Sequence, residues 1–139
     1  KPDGDIGRVW ELSRALTYRA LSQLLAAGLV AEAGTERGIA GGNRTVLRPT
    51  REGTKALRQW LVQPVPHLRD LRSELLLKLV LGERLGIDQA AMLQAQHELV
   101  AVATARLAEL SDASPTDVIA RWRWENAKAA LAFLDYLIE

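Results

Sequence analysis

The sequence predicts a mainly α-helical protein with one small β-hairpin, arranged in two lobes. Amphipathic stretches with helical spacing cover most of the chain, and a glycine-rich run separates two strand-like segments. Pro64-Val65-Pro66 then interrupts the helical pattern. We therefore expect a first lobe over residues 1–63 and a C-terminal helical lobe over residues 64–139.

Length and composition are those of a globular protein. The chain has 139 residues, of which 48% are hydrophobic, and it contains no cysteine. The absence of cysteine excludes a disulfide framework and thiolate chemistry. It also fits a reducing compartment, so we expect a cytoplasmic location. The longest apolar run, Leu75 to Leu81, is interrupted by Lys78 and is far shorter than the ~20 residues of a membrane span. No membrane partner is expected.

The charge is divided unevenly between the two halves. The whole chain has a net charge of +1, but residues 1–66 contain ten Lys/Arg against six Asp/Glu, a net +4. Residues 67–139 contain eight against eleven, a net −3. The asymmetry indicates an anion-binding lobe joined to a lobe of another kind, and a chance distribution is the alternative.

The first lobe is organised around a predicted helix between Ser13 and Gly28. Ser13 is a favourable N-cap, and glycine is favourable just beyond a helix end. Leu16, Ala20 and Leu24 recur at helical spacing and require a core. The first two turns also carry polar side chains that donate to phosphates or base edges, namely Arg14, Thr17, Tyr18 and Arg19.

Two strands are predicted after this helix, Leu29–Ala33 and Arg44–Pro49, joined by a loose glycine-rich loop. Arg37 and Arg44 stand beside glycines that let the backbone approach a phosphate or enter a minor groove. The loop lacks the lysine and following helix of a Walker phosphate loop. A helix followed by a basic hairpin is the outline of a winged helix. Thr50 then predicts the start of a helix from about Arg51 to Val62.

Motifs in a fixed order extend this outline over Trp10 to Trp60. They are Ser13, Leu16-Thr17-Tyr18, Ala20-Leu21, Leu24, Gly28-Leu29-Val30, Pro49-Thr50, Gly53 and Ala56-Leu57. In order and spacing they resemble the recognition helix, wing and following helix of the PadR family of bacterial transcriptional regulators. The resemblance implies a winged helix-turn-helix in which Tyr18 contacts the DNA backbone. Position 14, often proline in that family, is Arg14 here.

The stretch before the recognition helix departs from the family. PadR members usually have two more helices there, and this sequence begins too late to contain them, so we expect truncation, cleavage or disorder of a longer parent. Residues 1–12 mix glycine and aspartate and predict a loop. Trp10 is expected to pack beneath the recognition helix.

Three helices are predicted in the second lobe. They run from Leu68 to about Leu85, from about Gln89 to Leu110, and from a capping box at Ser114-Pro115-Thr116-Asp117 to Ile138. In the second of these helices, we expect Leu93, Val100, Ala103, Leu107 and Leu110 to form the buried stripe.

The last helix carries two apolar stripes, whereas a lobe of this size needs one. The second stripe predicts a homodimer interface, and a helix buried on all sides is the alternative. The first stripe is Ala120, Trp124, Ala127, Leu131, Leu134 and Ile138, and the second is Ile119, Trp122, Ala130, Phe133 and Leu137.

Catalytic chemistry finds no support in the sequence. His67 and His97 have no third ligand at a metal-binding spacing, so we expect no metal, no cofactor and no enzyme. We expect a sequence-specific DNA-binding regulator, a dimeric repressor acting on a pseudo-palindromic operator. The alternative is a winged-helix protein-interaction module that does not bind DNA. The candidate DNA-binding residues are Ser13, Arg14, Thr17, Tyr18, Arg19, Arg37, Asn43 and Arg44.

Trp122 and Trp124 suggest a further site. Two residues apart on one helix, they cannot share a face. Some PadR proteins bind flat aromatic compounds between dimer tryptophans, so the resemblance implies a small aromatic effector at Trp122 and Trp124. Hydrophobic packing of both side chains is the alternative.

Overall fold

The computed structural model describes residues 4–139 and divides them into two units. The winged unit is Trp10–Trp60, and the helical unit joins residues 4–9 to Leu61–Glu139. The predicted fold class, mainly α with a β-hairpin wing and a C-terminal helical lobe, is confirmed by the order of elements. No helix within residues 4–139 has the length and apolar character needed to cross a membrane.

The first element, helix α1 (Gly4–Val9), corrects the predicted loop over residues 1–12. Asp5 lies in its first turn and pairs with Arg8 one turn later at 3.5 Å. The helix packs against the later helix Leu76–Leu85, and that contact supplies support that the local sequence does not signal. Residues 1–3 of the predicted loop lie outside the described residues.

The winged unit consists of helix α2 (Arg14–Ala26), strands β1 (Val30–Arg37) and β2 (Asn43–Pro49), and helix α3 (Arg51–Leu61). The strands are antiparallel, and their pairing runs from Val30 opposite Pro49 to Arg37 opposite Asn43. A bulge between Glu32 and Gly34 interrupts the register, and Gly34 has a φ of 132° there. The bulge increases the twist of the hairpin.

The apolar face of α2 is exposed, which corrects the prediction that it is buried. Leu16 is 53% exposed and Leu24 37%, and no residue of α2 is buried by the part of the chain that the structure describes. Trp10 is 52% exposed, so it is not a buried anchor of this unit. An apolar stripe on a helix predicts that this face is buried, but it does not predict which segment buries it.

The helical unit opens with changes of helical pitch. A 3-10 turn at Leu68–Asp70 leads into a wider π turn at Leu71–Leu75, and α4 (Leu76–Leu85) follows. The sequence predicts one uniform helix over this stretch, and the observed turns still bury Leu71 and Leu75 as its periodicity requires. Gly86 ends α4 in the left-handed conformation, with a φ of 63°.

Two long helices, α5 (Ala90–Ala113) and α6 (Val118–Ile138), complete the helical unit. The predicted capping box is wrong, because Asp117, and not Ser114, caps α6. The Asp117 carboxylate accepts hydrogen bonds from the amides of Ile119 at 2.9 Å and Ala120 at 3.1 Å. The core of the unit is formed by Val65, Leu71, Leu75, Met92, Val100 and Leu134.

The buried face of α5 differs from the predicted leucine stripe. Leu110, placed in that stripe, is 50% exposed. Polar side chains occupy part of the buried face: Gln96 is hydrogen-bonded to the backbone of Val65, and Thr104 donates to the Val100 carbonyl at 2.7 Å. The buried positions of α5 are Met92, Gln96, Val100, Thr104 and Ser111.

Buried and partly buried polar side chains bind the connector, residues 61–66, which leads into the helical unit. Gln96 accepts from the Val65 amide at 2.6 Å and donates to the Val65 carbonyl at 2.9 Å. Gln89 donates to the Leu61 carbonyl at 2.9 Å, and Lys78 donates to the Gln63 carbonyl at 2.5 Å. We call Lys78, Gln89 and Gln96 the connector clasp.

Lys78 is the member of the connector clasp whose burial is energetically unfavourable, since it is a charged residue with only 1% of its surface exposed. Desolvation by burial lowers the pKa of its ammonium group, and the Glu74 carboxylate, 3.6 Å away, opposes that shift. The ammonium therefore donates to the Gln63 carbonyl at the expense of its own hydration.

We predict that Gln96→Leu destabilises the protein by about 2–5 kcal/mol, because it leaves a buried N–H and a buried C=O of Val65 unpaired at about 1–3 kcal/mol each. Gln94 lies two residues away on the exposed side of α5 and is the matched control. Gln94→Leu should change stability by less than about 0.5 kcal/mol. Urea unfolding followed by circular dichroism measures both. Equal unfolding midpoints would contradict the role of the clasp.

Candidate nucleic-acid interface

The first half of α2 presents exposed polar side chains, as the sequence predicts. Ser13 caps the helix, since its hydroxyl accepts from the Leu16 amide at 3.2 Å. Arg14 and Tyr18 are one turn apart and therefore share a face, and Tyr18 is 65% exposed. Neither Arg14 nor Arg19 has an ion-pair partner within residues 4–139. These side chains are accessible to an external partner.

Thr17 is partly engaged inside the helix. Its hydroxyl donates to the Ser13 carbonyl at 3.1 Å, and this bond orients the side chain along the helix. The oxygen of Thr17 can still accept a hydrogen bond. A contact to DNA that uses Thr17 as a donor would first have to break the internal bond.

A junction of backbone and side-chain hydrogen bonds connects α2 to the base of the wing and to α3. The Thr50 hydroxyl donates to the Gly28 carbonyl at 2.6 Å and accepts from the Gly53 amide at 3.0 Å. The Thr50 amide donates to the Leu29 carbonyl at 3.0 Å. We call Gly28, Leu29, Thr50 and Gly53 the α2–α3 junction. It confirms Thr50 as the cap of α3.

Glycine is required at two positions of this junction. Gly28 has a φ of 71°, a conformation that other residues rarely adopt. A Cβ on Gly53 would overlap the Leu29 carbonyl oxygen, so the backbones approach as closely as they do because residue 53 has no side chain. The sequence identifies Gly53 only as one of the family-like motif positions. Its role depends on a contact distant in sequence.

Arg44 forms an ion pair with a neighbour that the sequence alone does not identify. Arg44 stands opposite Glu36 in the hairpin, and their side chains form an ion pair at 3.0 Å. Both are more than half exposed, so the pair is weak and can be exchanged for another partner. The signal was present in the sequence only as two opposite charges eight residues apart. It becomes a pair once the register is known.

Arg37 and Asn43 form the last opposed pair before the turn of the hairpin. We call this pair the wing neck. Arg37 has no ion-pair partner within residues 4–139, so its guanidinium keeps all of its donors for an external group. The wing therefore offers one uncommitted arginine and one that is paired with a carboxylate.

The structure places all eight candidate DNA-binding residues in the winged unit, and in two groups. The first group is at the start of α2, and the second is in the outer half of the hairpin. In the part of the chain that the structure describes, no three His, Asp or Glu side chains gather as metal ligands would. The first group is Ser13, Arg14, Thr17, Tyr18 and Arg19, and the second is Arg37, Asn43 and Arg44.

The helical unit contains an open groove of about 1750 Å³. Trp122 lines the groove and is 70% exposed. Trp124 does not line the groove. Arg121 and Lys128 lie over its ring, at 5.0 and 4.0 Å from the centroid. The two tryptophans therefore have different surroundings. The other apolar side chains of the groove include Leu68, Leu99, Val102, Leu110 and Phe133.

No protein-family model matches the chain, and no curated protein matches it significantly. Among solved structures, the chain is similar to the crystal structure of Bacillus subtilis PadR in complex with operator DNA. The sequence identity is 15%, the TM-score is 0.42, and the match covers 98% of this chain and 83% of that one. At this level of similarity, the description of the fold rests on the helices and strands given above.

Proposed function

We propose that the protein is a sequence-specific DNA-binding transcriptional regulator that acts as a dimeric repressor. The main support is the accessible face at the start of α2, where arginine and tyrosine side chains without ion-pair partners among the described residues stand beside unbonded helix amides. A helix that enters the major groove uses its N-terminal residues in this way. The first turn also favours a phosphate, through its free N–H groups and the helix dipole.

The wing supports the same proposal. Its neck carries Arg37 and Asn43, whose donors match phosphates and the acceptors of the minor groove. Arg48 and Arg51 lie exposed near the end of the hairpin and extend the basic surface. Because the α2–α3 junction ties the base of the hairpin to the end of α2, the two groups can act together on one half-site.

The groove supports dimerisation through the helical unit. Small-molecule pockets occupy roughly 300–1,000 Å³, and this groove is larger and open. Its exposed apolar side chains, Trp122 among them, suit a second copy of the chain in a two-fold dimer. Two recognition helices would then meet a pseudo-palindromic operator. An aromatic effector bound beside Trp122 would relieve repression by changing the distance between the two recognition helices.

A protein-interaction module is the competing function, and the open apolar face of α2 favours it. Leu16 and Leu24 together expose a surface that an apolar partner could cover. Salt dependence separates the two functions. Phosphate neutralisation makes DNA binding fall steeply with salt, whereas an apolar protein contact does not.

We predict salt-dependent binding to a duplex carrying the promoter next to the gene, measured by fluorescence anisotropy. With about 6–10 phosphate contacts per dimer, affinity should fall by roughly 10³–10⁵ between 50 and 200 mM salt. Tyr18→Phe and Arg44→Ala should weaken binding to all sequences, whereas Thr17→Val and Arg19→Ala should change the sequence preference. Arg84→Ala, in the helical unit, is the charge-matched control. Unchanged affinity in both Arg19→Ala and Arg44→Ala would exclude this interface.

We predict that Glu36→Gln tightens DNA binding. The substitution frees Arg44 from an exposed ion pair worth about 0.2–1 kcal/mol, so affinity should rise by up to about fivefold per wing. Glu32→Gln removes the same charge from the same strand at a position with no ion pair and should have a smaller effect. Equal gains in the two variants would show that net charge alone, and not the Glu36–Arg44 pair, limits binding.

We predict a particle mass of twice the 15.3 kDa chain in light scattering. Trp122→Ala should weaken the dimer at least about tenfold in sedimentation equilibrium, because each dimer loses two large interface side chains. Trp124→Ala removes the same side chain outside the groove and should leave the dimer constant unchanged. A monomeric wild type, or equal weakening by both variants, would contradict an interface in the groove.

A further inference from the structure

The turn at the end of the wing carries a fully exposed apolar side chain. Ile39 has a relative exposure of 106%. The turn runs from Gly38 to Gly42, and its only side chains are those of Ile39 and Ala40. Without a charged or hydroxyl group, the turn has no side chain that could bind a phosphate. Its surface suits a partner that is apolar at the point of contact.

Hydrogen bonds give this turn a defined conformation, although the sequence predicts a loose loop. The Gly38 amide donates to the Gly42 carbonyl at 2.5 Å, and the Gly41 amide donates to the Gly38 carbonyl at 3.1 Å. A Cβ on Gly38 would lie 2.7 Å from the Gly42 oxygen, and Gly41 has a φ of 84°. The glycines thus specify a closed turn, and the closed turn directs Ile39 outward.

We infer that Ile39 enters the minor groove of the bound DNA, partly unstacks one base step and thereby sets sequence preference at the wing. The inference rests on the proposed function. Isoleucine is among the apolar side chains that proteins insert between base steps from the minor groove. Pyrimidine–purine steps such as TA and CA unstack most easily, so they are the steps that this contact selects.

The wing neck has the chemistry to flank such an insertion. Arg37 and Asn43 stand opposite one another immediately behind the turn. Their guanidinium and amide groups can donate to the acceptors that A·T pairs present in the minor groove. An apolar tip between two donors therefore fits a flexible, A·T-rich step. A tip resting on the phosphates would instead carry a cation.

The contact withdraws a fully exposed isoleucine from water. Burial of such a side chain corresponds to roughly tenfold to a hundredfold in affinity, and unstacking of the base step offsets part of this gain. The expected loss for Ile39→Ser is therefore about tenfold per wing. Because Ile39 makes no buried contact in the free protein, the substitution should leave the urea midpoint unchanged.

The test selects duplexes from a pool in which a central stretch of about 30 base pairs, roughly three helical turns, is randomised. The selection is done with the wild type, Ile39→Leu, Ile39→Ser and the neighbouring control Ala40→Ser. Wild type, Ile39→Leu and Ala40→Ser should enrich a TA or CA step at a fixed distance from the major-groove motif. Ile39→Ser should keep that motif, lose the enriched step and bind the wild-type consensus about tenfold more weakly.

Two outcomes overturn the inference while DNA binding stands. In one, Ile39→Ser selects the same flanking step and binds with wild-type affinity. In the other, Ile39→Lys binds more tightly with a steeper salt dependence, which places the tip against phosphates. If the wild type binds no duplex in a salt-dependent way, the proposed function fails and the inference fails with it.

Discussion

The hydrogen bond from the Thr50 hydroxyl to the Gly28 carbonyl, 2.6 Å long, is the contact on which the winged unit depends. β1 starts shortly after Gly28 and β2 ends just before Thr50, so this bond closes the base of the hairpin. The close approach of Gly53 to the Leu29 carbonyl then fixes the start of α3 at the same point. Within the winged unit, the orientation of the wing relative to α2 follows from this junction. A site made of two separated groups needs such a constraint.

In the helical unit, the main constraint is the connector, because two of its residues have no backbone N–H to donate a hydrogen bond. Pro64 and Pro66 have no N–H, so Val65 supplies the one backbone donor of this tripeptide. A side-chain amide is the group that can both donate to and accept from one residue, and Gln96 supplies it. An apolar residue at position 96 would fill the space and leave both groups unpaired. A glutamine is thus buried at position 96 because the connector requires both a donor and an acceptor there.

The structure agrees with the sequence-based predictions where the cause is local and departs from them where the cause is distant in sequence. The caps at Ser13 and Thr50 and the helix end at Gly86 follow from short-range chemistry and were predictable. The buried face of α5 was not, because Gln96 is buried for a partner 31 residues away. At the candidate site the residue types were predictable, but the pairing of Arg44 with Glu36 depends on strand register.

The charge carried by the wing changes along its length, and each part of the wing can therefore make a different kind of contact. Its outer half contains an ion pair, then the uncommitted Arg37, and finally a turn without charge. In the outer half of the wing, Arg37 is therefore the arginine that can add to long-range attraction of an anionic partner, because Arg44 is neutralised by Glu36. The arginines of α2 and the exposed Arg48 and Arg51 supply the rest of that attraction. The tip can act only at contact distance, through its shape and apolar surface. In the proposed regulator, different residues therefore attract the DNA and distinguish its sequence at the wing tip. Mutations can consequently change the salt dependence of binding without changing the sequence preference, and the reverse.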